Sequence, residues 1–187
     1  LEQNNINENY SRESTKDYDI FKDKDLLDKF RNRIIQELID NQIPDGKILT
    51  QYINEEIDAI TEGYDLSSVE RNHIFNLIEN EINGYGPITE LLEDSNVTEI
   101  MVNGPNEVYI EIDGKVLKDE SISFINNDHI LRTIQRMIQP LGRTIDTSNP
   151  MVDSRLPDGS RINAVIPPLS LRGPVLTIRK FRNNMSD

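Results

Sequence analysis

The sequence predicts an α+β fold: a small N-terminal helical bundle, then a compact domain in which an antiparallel sheet is packed with helices. Three observations predict it. Apolar residues recur at helical spacing from about 23 to 84, and the period switches to two after Ser95. Turn signals then punctuate the rest of the chain: Asp113-Gly114 for a tight hairpin, Asn103-Gly104-Pro105-Asn106 for a longer turn, and Pro157-Asp158-Gly159.

The totals suit that division. A chain of 187 residues has material for one ordinary domain, or for a helical unit joined to a compact α+β unit. The net charge of -13 is unevenly spread. Residues 1–86 carry 9 Lys/Arg against 19 Asp/Glu, whereas residues 130–187 carry 9 against 4. The acidic half repels nucleic acid and anionic lipid, while the basic half can hold phosphates locally. With no cysteine, disulfides, thiolate chemistry and a cysteine-based zinc site are excluded. No apolar run approaches about 18 residues and no basic-plus-apolar leader is visible, so a cytosolic location is expected.

Taken in order, residues 1–22 are rich in Asn and charge without sustained periodicity, and are expected to form a disordered arm. Three helices are expected over 23–84. Leu27, Phe30, Ile34 and Leu38 mark the first, which the Ile-Pro-Asp-Gly sequence at 43–46 stops. Ile53, Ile57 and Ile60 mark the second, closed by Gly63. Ser67 and Glu70 stand in capping-box positions before the third, with Ile74, Leu77, Ile78 and Ile82 on one side. Helices this short need each other's apolar faces, hence a bundle.

Gly84-Tyr85-Gly86-Pro87 is the hinge between the two patterns, and Pro87 starts a short helix through Ile88, Leu91 and Leu92. Strands are expected at 97–102, 107–112 and 115–118, with Val108, Ile110 and Ile112 facing a core and Tyr109 on the opposite face. A helix follows over 127–139, ended by Pro140 and Gly142. His129 in its first turn, like His73, lacks partners at ligand spacing and is expected to face solvent rather than bind metal. Strands at 151–156 and 161–166 flank the Pro-Asp-Gly turn, and a last strand is expected at 175–181.

The run 141–181 concentrates the candidate chemistry. It spaces Arg143, Arg155, Arg161, Arg172 and Arg179 among only three acids, Asp146, Asp153 and Asp158. A guanidinium stays charged and presents a planar fork of donors that fits phosphate oxygens. Alternation puts Asp153 with Arg155, and Arg161 with Asn163, on shared strand faces. Each arginine can equally be structural, held by a neighbouring carboxylate. No phosphate-binding loop of the G-x-x-x-x-G-K-[ST] type occurs, and no nucleophile, general base or carboxylate cluster stands beside the arginines. Half of a polyanion site is therefore expected, without catalytic or metal-binding residues of its own.

The blocks VTEIMVNG at 97–104, Gly142-Arg143 with Ile145-Asp146, DSRLPDGSRINAVIPP at 153–168 and LTIRKF at 176–181 resemble, in order, those of the bacterial secretion ATPases. The resemblance is nearest to the CpaF-type ATPase of tight-adherence (Flp/Tad) pilus assembly, with the VirB11-type proteins of type IV secretion as close relatives. It implies a PAS-like secretion-ATPase N-terminal domain at 85–181, with 182–187 opening a linker to an ATPase core beyond this chain. The family works as a hexameric motor at the cytoplasmic face of the inner membrane, binding Mg²⁺ and ATP between that domain and the core. By the same resemblance Arg143 and Arg161 reach toward the nucleotide phosphates, while Arg155 and Arg179 are secondary contacts or brace the sheet. The implied partners are further copies of the chain and an inner-membrane platform protein, with no nucleic acid. The whole protein is then an ATPase, while this chain alone is expected to be inactive and to hold no cofactor tightly. The alternative is a non-enzymatic docking module for the platform protein, its arginines spent on ion pairs with Asp146 or Asp153.

Overall fold

The structure is a computed structural model that describes residues 24–40 and 48–182, with side chains in the first helix described for 28–37. The expected arm at 1–22, the helix stop at 43–46 and most of the linker (183–187) lie outside the described residues. The chain divides into two compact units, Leu1–Ile82 and Asn83–Asp187.

The first unit holds three helices, α1 (Lys24–Asp40), α2 (Leu49–Ile60) and α3 (Ser68–Asn83). Phe30 and Ile34 of α1, Ile53, Ile57 and Ile60 of α2, and Ile74 and Ile78 of α3 form one core. The three- and four-residue intervals place them on one stripe per helix. The capping box forms as expected. The Ser67 amide donates to Glu70 Oε2 at 2.8 Å, and the Glu70 amide returns a bond to Ser67 Oγ at 3.2 Å. Arg71 ties α3 to α2, donating to Asp58 at 2.7 Å and to the Asn54 carbonyl at 3.2 Å.

The second unit opens with a 3-10 turn (Gly86–Ile88) and the short helix α4 (Thr89–Glu93). Strands β1 (Val97–Gly104), β2 (Glu107–Ile112) and β3 (Lys115–Lys118) follow, then helix α5 (Asn127–Ile138). Strands β4 (Met151–Arg155), β5 (Arg161–Val165) and β6 (Val175–Arg179) complete it. Asp113 and Gly114 both have positive φ (50° and 75°), the backbone of a two-residue hairpin whose twist suits the flanking strands.

All six strands join one antiparallel sheet in the order β3-β2-β1-β6-β5-β4. The last strand lies between the first and the fifth, so it fuses the β1–β3 meander to the β4–β5 hairpin. Local patterning predicted the pieces; the junction through β6 is a long-range pairing it did not contain. Ser154, Ile162, Ile178, Ile100 and Ile110 stand side by side across five strands. With Val108, Ala164 and Leu176 they supply the inner face, which shares one core with Ile130, Ile134, Met137 and Ile138 of α5. Tyr109, as expected, is half-buried on the other face.

The two histidines depart from expectation. His129 does not face solvent; it is buried, 3% exposed. Its amide donates to the side chain of the N-cap residue Asn126 (2.9 Å), and its Nδ1 accepts from the Ile125 amide (3.1 Å). The ring packs edge-on against Phe124 with centroids 5.1 Å apart. Positions 129, 133 and 137 line the flank of the apolar stripe of α5, so the imidazole satisfies a helix-start amide inside the core. His73 is likewise half-buried and engaged in an interaction rather than standing free in solvent.

Candidate functional site

The β4–β5 hairpin builds the centre of the candidate site. Asp158 Oδ1 accepts the Ser160 amide at 2.8 Å, and Leu156 and Ser160 close the turn through a 2.7 Å backbone bond. Gly159 has φ 89°, and a Cβ there would lie 3.1 Å from the Phe181 ring. The turn thus requires glycine both for its backbone and for the close approach of Phe181. Ser160, 1% exposed, accepts the Phe181 amide at its Oγ (3.2 Å), joining the turn to the end of β6.

Strand register decides which arginines meet. Arg155 pairs with Arg161, Arg161 with Arg179, Arg179 with Glu99, and Glu99 with Glu111. Directly paired residues point to the same face, so three arginines and two glutamates form one row on the outer face. The next row on that face runs Asp153, Asn163, Thr177, Met101 and Tyr109. Arg143 stands outside the row, exposed in the connection after α5, where its amide donates to the Ile138 carbonyl at 3.3 Å. Arg172 is exposed in the β5–β6 connection.

The three acids of this run have different employment. Asp146 Oδ1 accepts the Ser148 and Asn149 amides, both at 2.8 Å, and Asp158 is committed to its turn. Asp153 receives Arg161 through Nε and Nη2, both at 3.3 Å. With side chains 66% and 47% exposed, that pair is worth about 0–1 kcal/mol and is readily exchanged for another anion. The side chains of Arg143, Arg155 and Arg179 form no hydrogen bond or ion pair among the described residues.

Sequence reasoning passed over Lys180. Its Nζ donates to the Leu91 carbonyl at 3.0 Å and the Asp94 carbonyl at 2.6 Å, and its amide donates to the Thr98 carbonyl at 2.9 Å. The ammonium therefore satisfies carbonyls at the C-terminal end of α4. Desolvation pushes its pKa below the usual lysine value, with Asp94 and then Asp158 opposing. The available signal was its place between Arg179 and Phe181, which turns it away from the arginine face.

The guanidinium forks of the row and of Arg143 suit phosphate oxygens. Among the described residues no group of three or more His, Cys, Asp or Glu is placed to hold a metal ion. Nor, among the described residues, is any helix long and apolar enough to cross a membrane.

Residues 81–186 match the type II/IV secretion system protein family (T2SSE), and the chain belongs to that family. Its relatives include MJ0781 of Methanocaldococcus jannaschii, 31% identical over 147 residues that span 78% of this chain and 20% of that protein. The putative conjugal transfer protein Rv3659c of Mycobacterium tuberculosis is 29% identical over 117 residues, 59% of this chain and 33% of that protein. The type IV secretion system protein VirB11 of Bartonella henselae is 33% identical over 98 residues, 50% of this chain and 26% of that protein. The chain thus covers 20–33% of the length of these relatives. Among solved structures, the VirB11 ATPase of the Brucella suis type IV secretion system in complex with sulphate aligns with TM-score 0.45 and 26% identity, over 54% of this chain and 31% of that one.

Proposed function

We propose that this chain is the N-terminal part of a secretion ATPase of the CpaF type, contributing arginines to an ATP site completed by a core domain. The observation that carries the reading is the family match over 81–186, joined to an arginine-bearing outer face on β4–β6. On this reading Arg143 and Arg161 contact the nucleotide phosphates. When bound, ATP would supply the phosphoryl group and Mg²⁺ would neutralise its charge; on this reading the residues described here would bind and orient the phosphates. The motor is a hexamer at the cytoplasmic face of the inner membrane, acting on a platform protein there in pilus assembly or secretion.

The chain alone is expected to show no Mg-dependent ATP turnover, and measurable turnover by purified protein would defeat this part of the reading. In the full-length protein, Arg143→Ala or Arg161→Ala should lower kcat/KM by about 10²-fold or more, as for loss of a transition-state charge partner. Thermal unfolding should stay unchanged. Unchanged kinetics in both variants would remove these residues from the site.

One observation favours the docking-module reading: Arg161 is paired with Asp153. Because that pair is exposed and weak, it leaves Arg161 available. An Asp153→Asn variant with unaltered turnover but lost platform binding would reverse the preference.

A further inference from the structure

We infer that the loop between β5 and β6 (166–174) is a knob that docks on the outer face of β1–β3 in a second copy of this chain. Leu169 and Leu171 supply its apolar contact and Arg172 its charge. Met101, Tyr109 and Val116 receive the leucines, and Glu99 and Glu111 receive the guanidinium. The inference deepens the hexamer reading of the proposed function by naming the surfaces through which copies meet. It rests on that reading only for the number of copies.

The loop holds its leucines out on a fixed backbone. Leu171 is 98% exposed and Leu169 58%. The Leu169 and Ser170 amides both donate to the Ile166 carbonyl, at 3.0 and 3.2 Å. Ser170 Oγ donates to the Gly173 carbonyl at 2.6 Å, and Asn127 Nδ2 donates to the Arg172 carbonyl at 3.4 Å. Gly173 has φ 133°, and a Cβ there would lie 2.6 Å from Asn127 Nδ2. Glycine thus lets the loop rest against the start of α5. Exposed apolar side chains scattered singly are ordinary. Two leucines on one pinned loop form a ready-made contact that loses little entropy on docking.

The receiving patch is set by strand register. Met101 pairs with Tyr109, and Glu99 pairs with Glu111, which pairs in turn with Val116. Direct partners share a face, as do positions two apart along a strand, so three apolar side chains and two carboxylates lie together. Val116 is 59% exposed, and Met101 and Tyr109 are half-buried. The Glu99 side chain forms no hydrogen bond or ion pair among the described residues. The Glu111 carboxylate accepts Thr98 Oγ1 at 3.0 Å, which leaves it further acceptor capacity.

Charge selects the occupant and its place. Arg172 is exposed beside Leu171. On the outer face it is repelled by Arg155, Arg161 and Arg179 of the β4–β6 half and attracted by Glu99 and Glu111 of the other half. One chain therefore carries both halves of the contact. They do not meet within one copy, because Asn127 of α5 holds the loop at the helix side of the sheet and the patch lies on the opposite face. Knob and patch are different surfaces, so the contact is heterologous: each copy offers its knob to one neighbour and its patch to another.

The test exploits the absence of cysteine from the chain. A variant with Leu171→Cys and Met101→Cys is oxidised with diamide, each pair of thiols giving one disulfide, and resolved on a non-reducing denaturing gel. It should form a ladder of dimers, trimers and higher species, whereas either single variant stops at dimers. Cross-linking should run at least about tenfold faster than for Leu171→Cys with Val69→Cys, a pair outside the contact, because docking raises the effective thiol concentration. Adding Arg172→Glu should slow the ladder about tenfold at low salt, and adding Glu99→Lys and Glu111→Lys to that variant should restore it. Thermal midpoints should stay at the parent value.

A ladder no faster than the Val69 control, or one indifferent to Arg172→Glu, would overturn the contact. In the full-length protein, a ladder that ends at the hexamer supports both readings. A ladder that runs past it leaves the contact standing and removes the hexamer. A hexamer by light scattering that forms no cross-link removes the contact and keeps the hexamer. Protection of Tyr109 from chemical labelling without any ladder would mean that the rest of the same polypeptide covers the patch, and the contact between copies falls.

Discussion

The two faces of the β-sheet are built from the same strands and obey different rules. Across one line of the inner face stand Ser154, Ile162, Ile178, Ile100 and Ile110; one residue along, the outer face carries Arg155, Arg161, Arg179, Glu99 and Glu111. Burial against α5 leaves the inner row little chemical freedom, since a buried charge there would be unpaired. The outer row meets no such demand, so its side chains are free to carry binding. Stability and function are thus separated by a single step along each strand.

The largest expected effect tests that separation. Ile178→Ala, at a fully buried position, should destabilise the domain by about 2–5 kcal/mol in urea unfolding. Arg179→Ala, the adjacent residue on the outer face, should change stability by no more than about 0.5 kcal/mol. Comparable losses in the two variants would mean that the outer face is also packed.

A smaller loss should come at the turn from which both faces of the hairpin emerge. Gly159→Ala places a Cβ at 3.1 Å from Phe181 on a backbone with φ 89°, and should cost about 1–2 kcal/mol. A neutral result would show that Phe181 swings away and that the turn is not coupled to the end of β6.

Smaller still is the effect of Asp153→Asn on the outer face. It should lower stability by at most about 1 kcal/mol, and the difference should fade with added salt. A larger, salt-insensitive loss would make the Arg161 pair structural.

The smallest effect concerns Lys180, whose pKa is depressed by desolvation. Between its lowered folded value and the ordinary lysine value of about 10.4, the unfolded chain binds more protons than the folded one. The contribution of Lys180 to stability therefore rises with pH through that window. Subtracting the unfolding free energy of Lys180→Gln from that of the parent, measured at increasing alkaline pH, should give a rising curve. A falling one would show that attraction to Asp94 and Asp158 outweighs burial.

Much of the architecture was legible because its causes are local. The Ser67–Glu70 cap, the Asp113-Gly114 hairpin, the Gly159 turn and the apolar stripes each depend on residues a few positions apart. His129 was misread because a lone histidine in a helix's first turn reads as polar; only the fold shows the Ile125 amide that its Nδ1 accepts. Lys180 went unnoticed for the same reason, since its acceptors at Leu91 and Asp94 are 86–89 residues away.

The candidate site divides along the same line. Sequence by itself determined that arginines crowd into 141–181, that alternation sets Arg155 with Asp153 and Arg161 with Asn163, and that family motifs run through them. Only the tertiary structure decided that β6 enters between β1 and β5, which draws Arg179 beside Arg161 and stops the positive row at Glu99. The physical reason is that alternation assigns a face within one strand, whereas the neighbour across a sheet is chosen by long-range register. That register is set by how the inner faces of distant strands bury together.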